Sequence, residues 1–160
     1  MSGIDVAPGH DDGEPPVRVL FVCTHNSARS IMAEALLREK GGDAYAAFSA
    51  GTEVAQVRAL TLKVLEEAGL PTEGLHSKSV NEFRGQRFDY VITVCDAARQ
   101  NCPVFPGEGD RFHWGYPDPS AAEGTEEERL QAFRSVLTAI SGRIDLFMTI
   151  EDKRQTADSD

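Results

Sequence analysis

The chain has 160 residues, of which 41% are hydrophobic and 26% are charged, and this composition predicts one soluble globular domain. Its net charge of −10 disfavours nonspecific binding to nucleic acid or to an anionic membrane surface. The apolar runs are too short to span a membrane, and the first 16 residues lack the features of a secretory signal. Three cysteines, an odd number, argue against a disulfide framework and favour a reducing, cytoplasmic location.

Strand-like apolar runs alternate with amphipathic helical patterns over residues 17–150, which are predicted to form one domain. The predicted strands are 17–23, 44–51, 88–95 and 110–115, and the predicted helices are 29–40, 58–69 and 125–148. The polar segments 1–16 and 151–160 are predicted to be disordered tails. This alternation predicts an α/β fold with a parallel sheet, whose ligands bind at the carboxyl ends of strands, at a topological switch point.

The segment VLFVCTHNSARSIMAEAL, residues 19–36, changes from a strand pattern to a helix pattern at Cys23. A short polar loop between a strand and a helix can point its N–H groups inward, and the helix N-terminus adds partial positive charge. Cys23 is therefore expected to react as a thiolate, stabilised by Ser30, while Arg29 pairs with a tetrahedral oxyanion. The loop residues expected to bind the oxyanion are Thr24, His25, Asn26, Ser27, Ala28 and Arg29.

This segment has two alternative interpretations. A buried cysteine followed by a surface arginine would carry no function, but it leaves the strand–loop–helix setting and Ser30 unexplained. A nucleotide-binding P-loop is excluded, because the segment lacks the Gly-Lys-Ser/Thr ending.

The segment VITVCDAARQNCPVFPG contains the two other cysteines. Cys95 ends a predicted strand, so its thiol is expected at the same edge of the sheet as that of Cys23. The spacing to Cys102 permits a local disulfide if the residues between form a helix that can unwind. Two structural cysteines or half a zinc site are the alternatives, but the usual Cys-x2-Cys and His-x3-His pairs are absent. Beside a reactive Cys23, a thiol–disulfide relay is the better interpretation.

The segment HWGYPDPS, residues 113–120, holds Asp118 between two prolines and close to Trp114 and Tyr116. A carboxylic acid in a partly apolar loop is suited to protonating a leaving oxygen. In isolation Asp118 would be interpreted as an ordinary turn residue, because Pro-Asp turns are common.

Together, VLFVCTHNSARSIMAEALL, FSAG, FDYVITVCDAARQNCPVFPG and HWGYPDP resemble arsenate reductases with the low-molecular-weight tyrosine phosphatase fold. The resemblance covers about residues 17–148, and the paired cysteines with HWG…DP distinguish the reductases from ordinary phosphatases. It implies a four-stranded parallel sheet flanked by helices, without a metal ion or an organic cofactor. It also implies that Asn26 orders the loop from within.

The resemblance implies reduction of arsenate to arsenite, for arsenic detoxification. Cys23 would attack arsenic while Asp118 protonates the departing hydroxide, and phosphate or sulfate would bind as mimics. Cys95 would then attack the sulfur of Cys23 and release arsenite, and Cys102 would attack Cys95. Thioredoxin would reduce the resulting disulfide. Alternatively, glutaredoxin and glutathione would supply the electrons, as in some relatives with loops like CTHNSARS.

Four positions depart from the pattern of this family. His25 and Ala28 stand where many thioredoxin-coupled members carry glycine and a second loop cysteine, and Ile31 replaces a glutamine common after the loop serine. Some members bind potassium near the loop through an acidic residue, whereas the segment HSKSV offers Lys78, whose ammonium would stand in for the ion. The side chain of His25 would either adjust the reactivity of the Cys23 thiolate or simply be solvated.

Two other functions remain open. A phosphatase acting on phosphotyrosine or another small phosphoester is disfavoured, because Ser120 follows Asp118-Pro119 where tyrosine phosphatases of this fold present an aromatic wall. A non-enzymatic oxyanion-binding or redox-sensing module would leave Asp118 without a role.

Overall fold

The computed structural model describes residues 15–105 and 108–158, in which strands and helices alternate as the sequence predicts. The strands are β1 (Val17–Cys23), β2 (Tyr45–Gly51), β3 (Tyr90–Thr93) and β4 (Asp110–His113). The helices are α1 (Arg29–Gly41), α2 (Ala59–Glu67), α3 (Asp96–Asn101) and α4 (Glu126–Asp158). Short 3-10 turns lie at Gly42–Ala44, Val80–Phe83 and Pro119–Ala121.

The four strands form one sheet in the order β2-β1-β3-β4, and every neighbouring pair is parallel. The chain passes from β1 to β2 on one side and then crosses to β3 on the other side of β1. The crevice beyond the carboxyl ends of β1 and β3 is therefore the switch point at which such sheets bind ligands. This confirms the predicted α/β domain with a four-stranded parallel sheet, and Cys23 is the last residue of β1.

The two faces of the sheet carry separate aromatic clusters. On one face, Phe147 of α4 contacts Tyr45, Tyr90 and Trp114, with ring centroids 6.2, 4.9 and 5.9 Å apart. Phe48 lies three residues after Tyr45 on β2 and so points to the opposite face. Its cluster of edge-to-face rings comprises Phe48, Phe83, Phe88 and Phe105. The sheet is thus covered on both sides, as parallel sheets require.

The predicted C-terminal tail at 151–160 is wrong for residues 151–158, which continue α4. Glu151 is buried and accepts a hydrogen bond from the hydroxyl of Tyr90. Arg154 donates to the same hydroxyl at 2.9 Å and to Asp110 at 3.0 Å. These polar residues, which predict a tail from the sequence, bind polar groups on β3 and on the edge strand β4.

The predicted N-terminal tail at 1–16 falls outside the described residues except for its last two, which lie exposed before β1. The last two residues of the predicted C-terminal tail also lie outside them. In the described part of the chain, no helix is both long and apolar enough to cross a membrane.

Candidate active site

The thiol of Cys23 is buried at the end of β1 and contacts one group of the following loop and one of the first turn of α1. Its Sγ lies 2.8 Å from Oγ of Ser30 and accepts a hydrogen bond of 3.2 Å from the backbone N–H of Asn26. Nδ2 of Asn26 donates to Oγ of Ser30 at 2.7 Å. Because the Ser30 oxygen accepts that bond, its own proton is available to donate to Cys23. Both contacts would stabilise a thiolate.

Asn26 is held in an unusual conformation within the loop. Its φ of 52° lies in the left-handed region, which asparagine tolerates better than most residues. The side chain is fully buried, and Oδ1 accepts a hydrogen bond of 2.8 Å from the backbone N–H of Lys78. Asn26 therefore links the loop to a segment about fifty residues later in the chain, as well as to Ser30.

The carbonyl groups of the loop are bound by donors outside it. The carbonyls of Cys23 and Thr24 accept from the N–H groups of Thr52 and Glu53, at 3.1 and 2.8 Å. The carbonyl of His25 accepts from Oγ of Ser77 at 2.7 Å. The carbonyl of Ser27 accepts from the N–H of Arg58 at 3.0 Å and from Oγ1 of Thr61 at 2.9 Å. With its carbonyls engaged from outside, the loop presents N–H groups inward, and such an arrangement binds anions.

Gly51, the last residue of β2, lies against the backbone of this loop. A Cβ atom there would lie 2.6 Å from the carbonyl oxygen of Thr24 and 2.9 Å from the backbone nitrogen of Asn26. Only glycine allows the two backbones to approach this closely.

Arg29, the first residue of α1, is held over the loop by the segment that carries Asp118. Its Nη1 donates to the carbonyl of Tyr116 at 2.9 Å, and Nη2 lies 3.9 Å from Oδ2 of Asp118. Arg29 and Asp118 line a small cavity together with Cys23, His25, Ser27, Ala28 and Ser120. Inward N–H groups, a guanidinium and a thiol around one cavity suit a tetrahedral oxyanion.

The carboxyl group of Asp118 is bound by Ser120, whose N–H and hydroxyl donate to Oδ1 at 3.0 and 2.6 Å. Partial burial raises the pKa of Asp118, but these hydrogen bonds and the charges of Arg29 and Arg58 outweigh burial and lower it below its usual value. Asp118 is therefore ionised at neutral pH in the ligand-free protein. A role as general acid then requires that it gain a proton when the oxyanion binds.

Cys95 and Cys102 lie at opposite ends of α3. Cys95 immediately precedes the helix, and its Sγ lies 3.2 Å from Oγ1 of Thr24, so that its thiol adjoins the loop of Cys23. Cys102 immediately follows the helix, and burial raises the pKa of its thiol, although Arg111 partly offsets this effect. All three thiols are free. The structure thus brings Cys95, but not Cys102, to the loop of Cys23.

Lys78 is buried beside the loop, and oxygen atoms surround its ammonium group. Nζ donates to the carbonyl of His76 at 2.7 Å and lies 3.4 Å from both Oε1 of Glu34 and Oγ of Ser49. The ammonium thus occupies the oxygen cluster itself, so these residues do not fit an additional potassium ion. In the described part of the chain, no group of three or more His, Cys, Asp or Glu residues could hold a metal ion.

Sequence reasoning missed the residues that hold the loop from outside. Ser77, Arg58 and Thr61 lie at least thirty residues after the loop, and no local pattern marks them as its partners. The sequence also offers a local signal for Ser120, because a serine two residues after an aspartate often binds it in a turn. The side chain of His25 is exposed, and only its carbonyl has a defined partner.

Comparison with known proteins places these features in a family. A family model described as low molecular weight phosphotyrosine protein phosphatase matches residues 18–156. An arsenate reductase of Halalkalibacterium halodurans is 38% identical over 129 residues, which cover 81% of this chain and 93% of the relative.

Solved structures agree with this assignment. The crystal structure of arsenate reductase from Archaeoglobus fulgidus is 33% identical, with a TM-score of 0.65, and the match covers 81% of this chain and 97% of that one. A thioredoxin-dependent arsenate reductase of Corynebacterium glutamicum is 28% identical, with a TM-score of 0.65, over 87% of this chain and 64% of that one. The chain therefore belongs to the low molecular weight phosphotyrosine protein phosphatase family, and its relatives within it include arsenate reductases.

Proposed function

We propose that this protein is an arsenate reductase that uses Cys23 as its nucleophile and Cys95 and Cys102 as a thiol relay. The observation that carries the proposal is the position of Cys95, whose thiol contacts Thr24 in the oxyanion loop next to Cys23. A phosphatase has no use for a second thiol at this place, whereas a reductase requires one. The similarity to enzymes named arsenate reductase supports the same conclusion.

The first step is attack of the Cys23 thiolate on the arsenic atom of bound arsenate. A sulfur–arsenic bond forms, an arsenic–oxygen bond breaks, and the leaving oxygen takes a proton from Asp118. Arg29 and the inward N–H groups of the loop hold the remaining oxygens. The hydrogen bond from Ser30 favours the thiolate before the attack.

The proton of Asp118 has to come with the substrate, because the free carboxyl is ionised. Arsenate that binds as its monoanion carries a proton into the site. The charge of the bound oxyanion opposes that of Asp118 and pairs with Arg29, and both effects raise the pKa of Asp118. Proton transfer from arsenate to Asp118 then prepares the acid for the leaving oxygen.

The second step transfers two electrons to arsenic. The Cys95 thiolate attacks the sulfur of Cys23, the Cys23–Cys95 disulfide forms, and the electron pair of the sulfur–arsenic bond remains on arsenic. Arsenic(V) becomes arsenic(III) and leaves as arsenite. Cys102 then attacks Cys95 and releases Cys23 as a thiolate.

The reductant that restores the Cys95–Cys102 dithiol is a thiol protein. Thioredoxin is the favoured donor, because a similar solved structure belongs to a thioredoxin-dependent enzyme. Glutaredoxin with glutathione is the alternative. The relay starts from three free thiols, so we place the enzyme in a reducing compartment, the cytoplasm.

Hydrolysis of a small phosphoester is the second candidate function. Cys23, Arg29, Ser30 and Asp118 form a complete set for it, because phosphate has the same shape and charge as arsenate. Ser120 stands beside this set without an aromatic wall to hold a tyrosine ring, which disfavours phosphotyrosine as the substrate.

The test is arsenite release by the purified protein with arsenate and either a thioredoxin or a glutaredoxin system. We expect steady turnover with thioredoxin, none in Cys23→Ser, and none in Cys95→Ser. Hydrolysis of p-nitrophenyl phosphate, measured in parallel, should survive in Cys95→Ser. Arsenite release that persists in Cys95→Ser would contradict the relay, and phosphoester hydrolysis without arsenate reduction would establish the phosphatase instead.

A further inference from the structure

The relay requires a change of shape in α3, because Cys95 and Cys102 flank this helix. Seven helical steps separate their Cα atoms by about 10 Å along the axis. A disulfide needs a Cα separation of about 4.4–6.8 Å. The helix of six residues must therefore unwind before the third thiol reaches the second. This inference rests on the proposed function.

The N-terminal end of α3 is tied to β4 through His113. Nε2 of His113 lies 3.0 Å from Oδ1 of Asp96, the first residue of α3. An ionised carboxylate only accepts hydrogen bonds, so the ring donates here. Nδ1 lies 2.8 Å from Oγ1 of Thr93, the cross-strand neighbour of His113, and this contact fixes the orientation of the ring.

The C-terminal end of α3 is tied to β4 through Arg111. Its Nη2 donates to the carbonyl of Pro103 at 2.7 Å, and Nη1 makes a longer contact of 3.5 Å to the carbonyl of Cys102. Glu108 holds the guanidinium with two bonds of 2.8 Å. Oε1 of Glu108 also accepts from the N–H of Phe105 at 3.1 Å.

Arg111 and His113 are two residues apart on β4, so their side chains point to the same face of the sheet. Phe112, between them, stacks on Tyr90 on the opposite face, where α4 packs. We propose that Arg111 and His113 are positioning residues that clamp both ends of α3, and that this clamp must open before Cys102 can attack Cys95. Its three contacts join His113 to Asp96 and Arg111 to the carbonyls of Cys102 and Pro103 while the segment that carries the two thiols is helical.

The clamp affects both the distance and the reactivity of the third thiol. While α3 is folded, burial raises the pKa of Cys102 and keeps it protonated. When the clamp opens, Cys102 becomes solvated, so burial no longer disfavours its thiolate, and the thiolate attacks Cys95. The Cys95–Cys102 bond forms, the Cys23–Cys95 bond breaks, and Cys23 leaves as a thiolate. Oxidation of the outer pair is thus coupled to unwinding of α3.

The test measures the equilibrium between the Cys95–Cys102 dithiol and its disulfide in dithiothreitol redox buffers. Cys23→Ser serves as the background, because it leaves only these two cysteines and needs no arsenate. Asp96→Ala removes the bond to His113 at an exposed position. We expect it to favour the disulfide by about fivefold, since the lost bond stabilises only the helical dithiol.

Three further variants make the test specific. Asp96→Asn keeps an acceptor for His113, and Gln100→Ala changes an exposed residue of α3, so each should stay within about twofold of the background. Arg111→Lys keeps a positive charge beside Glu108 but loses the forked guanidinium contacts. It should therefore shift the equilibrium toward the disulfide, as Asp96→Ala does.

The outcomes separate the clamp from the proposed function. Equal equilibrium constants for Asp96→Ala, Asp96→Asn and the background would overturn the clamp alone. Failure of the disulfide to form in any variant would overturn both the clamp and the relay. A shift in Asp96→Ala in a protein that does not reduce arsenate would support the clamp and contradict the proposed function.

Discussion

At the residue scale, the loop that follows Cys23 depends on two positions where backbone geometry excludes most side chains. Asn26 adopts a left-handed conformation and uses every part of its amide group inside the protein. Gly51 lets β2 approach the loop so closely that a Cβ atom would touch backbone atoms. The geometry around Cys23 is therefore set by Asn26 and Gly51 through their backbone conformation and close packing.

Gly51→Ala should displace the loop and weaken oxyanion binding. The added Cβ would meet backbone atoms of Thr24 and Asn26, and such overpacking costs about 1–3 kcal/mol. Gly142→Ala is the matched control, because its Cβ meets nothing within 4 Å and α4 should gain about 0.5–1 kcal/mol. Urea unfolding and calorimetric binding of inorganic phosphate measure both effects. Wild-type phosphate affinity in Gly51→Ala would show that the loop does not need this close approach.

Asp118 and Ser120 allow the proton source to be tested. Asp118→Asn should lower the maximal rate by about 10²–10⁴-fold with little effect on phosphate binding, since an amide cannot supply the proton. Ser120→Ala should raise the pKa of Asp118 in the free protein. The hydroxyl and the backbone N–H of Ser120 both donate to Asp118 and lower its pKa, and an alanine keeps only the N–H. NMR titration of the carboxyl group measures that change. An unchanged rate in Asp118→Asn would assign the residue a structural role in its loop.

At the element scale, α4 is the element that sequence patterns described least completely. Its apolar positions end near Phe147, but the helix continues to Asp158, and its polar side chains bind Tyr90 on β3 and Asp110 on the edge strand β4. Glu151 and Arg154 both reach the hydroxyl of Tyr90 on β3. The last turns of α4 are therefore held by buried and partly buried polar contacts instead of apolar packing.

Glu151→Ala should destabilise the protein by about 1–3 kcal/mol, because the proton of the Tyr90 hydroxyl loses its acceptor in a buried place. Lys153→Ala, an exposed substitution two residues away, should change the free energy of unfolding by less than about 0.5 kcal/mol. Chemical denaturation of both variants and the wild type provides the comparison. Equal stability of all three would mean that the end of α4 contributes nothing to the fold.

At the scale of the whole molecule, the active site is assembled from segments that meet only through the order of the strands. β1 supplies Cys23, and β3 leads to Cys95 at the switch point beside it. The segment after β4 brings Asp118 to within 3.9 Å of Arg29. A reductase and a phosphatase would both need the segments of Cys23 and Asp118. Only the reductase would need the segment of Cys95.

Cys102→Ser separates the two steps of the relay. Treated with arsenate, it should accumulate a Cys23–Cys95 disulfide after one turnover, because no third thiol remains to resolve it. Cys95→Ser should form no such disulfide. Mass spectrometry of the alkylated proteins identifies the pairing. Repeated turnover of Cys102→Ser with glutaredoxin would assign the enzyme to glutathione-coupled reduction, since the third thiol would then be dispensable.

Local patterns in the sequence were sufficient to predict the strands, three of the helices and the loop of Cys23. Buried strands and amphipathic helices have periods of their own, and a cysteine between them marks a loop that opens at the edge of the sheet. The same reasoning placed Cys95 at that edge. These features depend on neighbouring residues, and the sequence alone determined them.

Only the tertiary structure decided which distant groups complete these elements. Ser77 and Arg58 bind the loop carbonyls, Glu151 binds Tyr90, and His113 binds Asp96 of α3. The partners in each contact are far apart in the sequence, and periodic patterns of neighbouring residues do not reveal such contacts. Arg29 likewise lies 3.9 Å from Asp118, a residue 89 positions later in the chain. Hydrogen bonds and charges act through space, so their partners are set by the strand order and register that the folded sheet adopts.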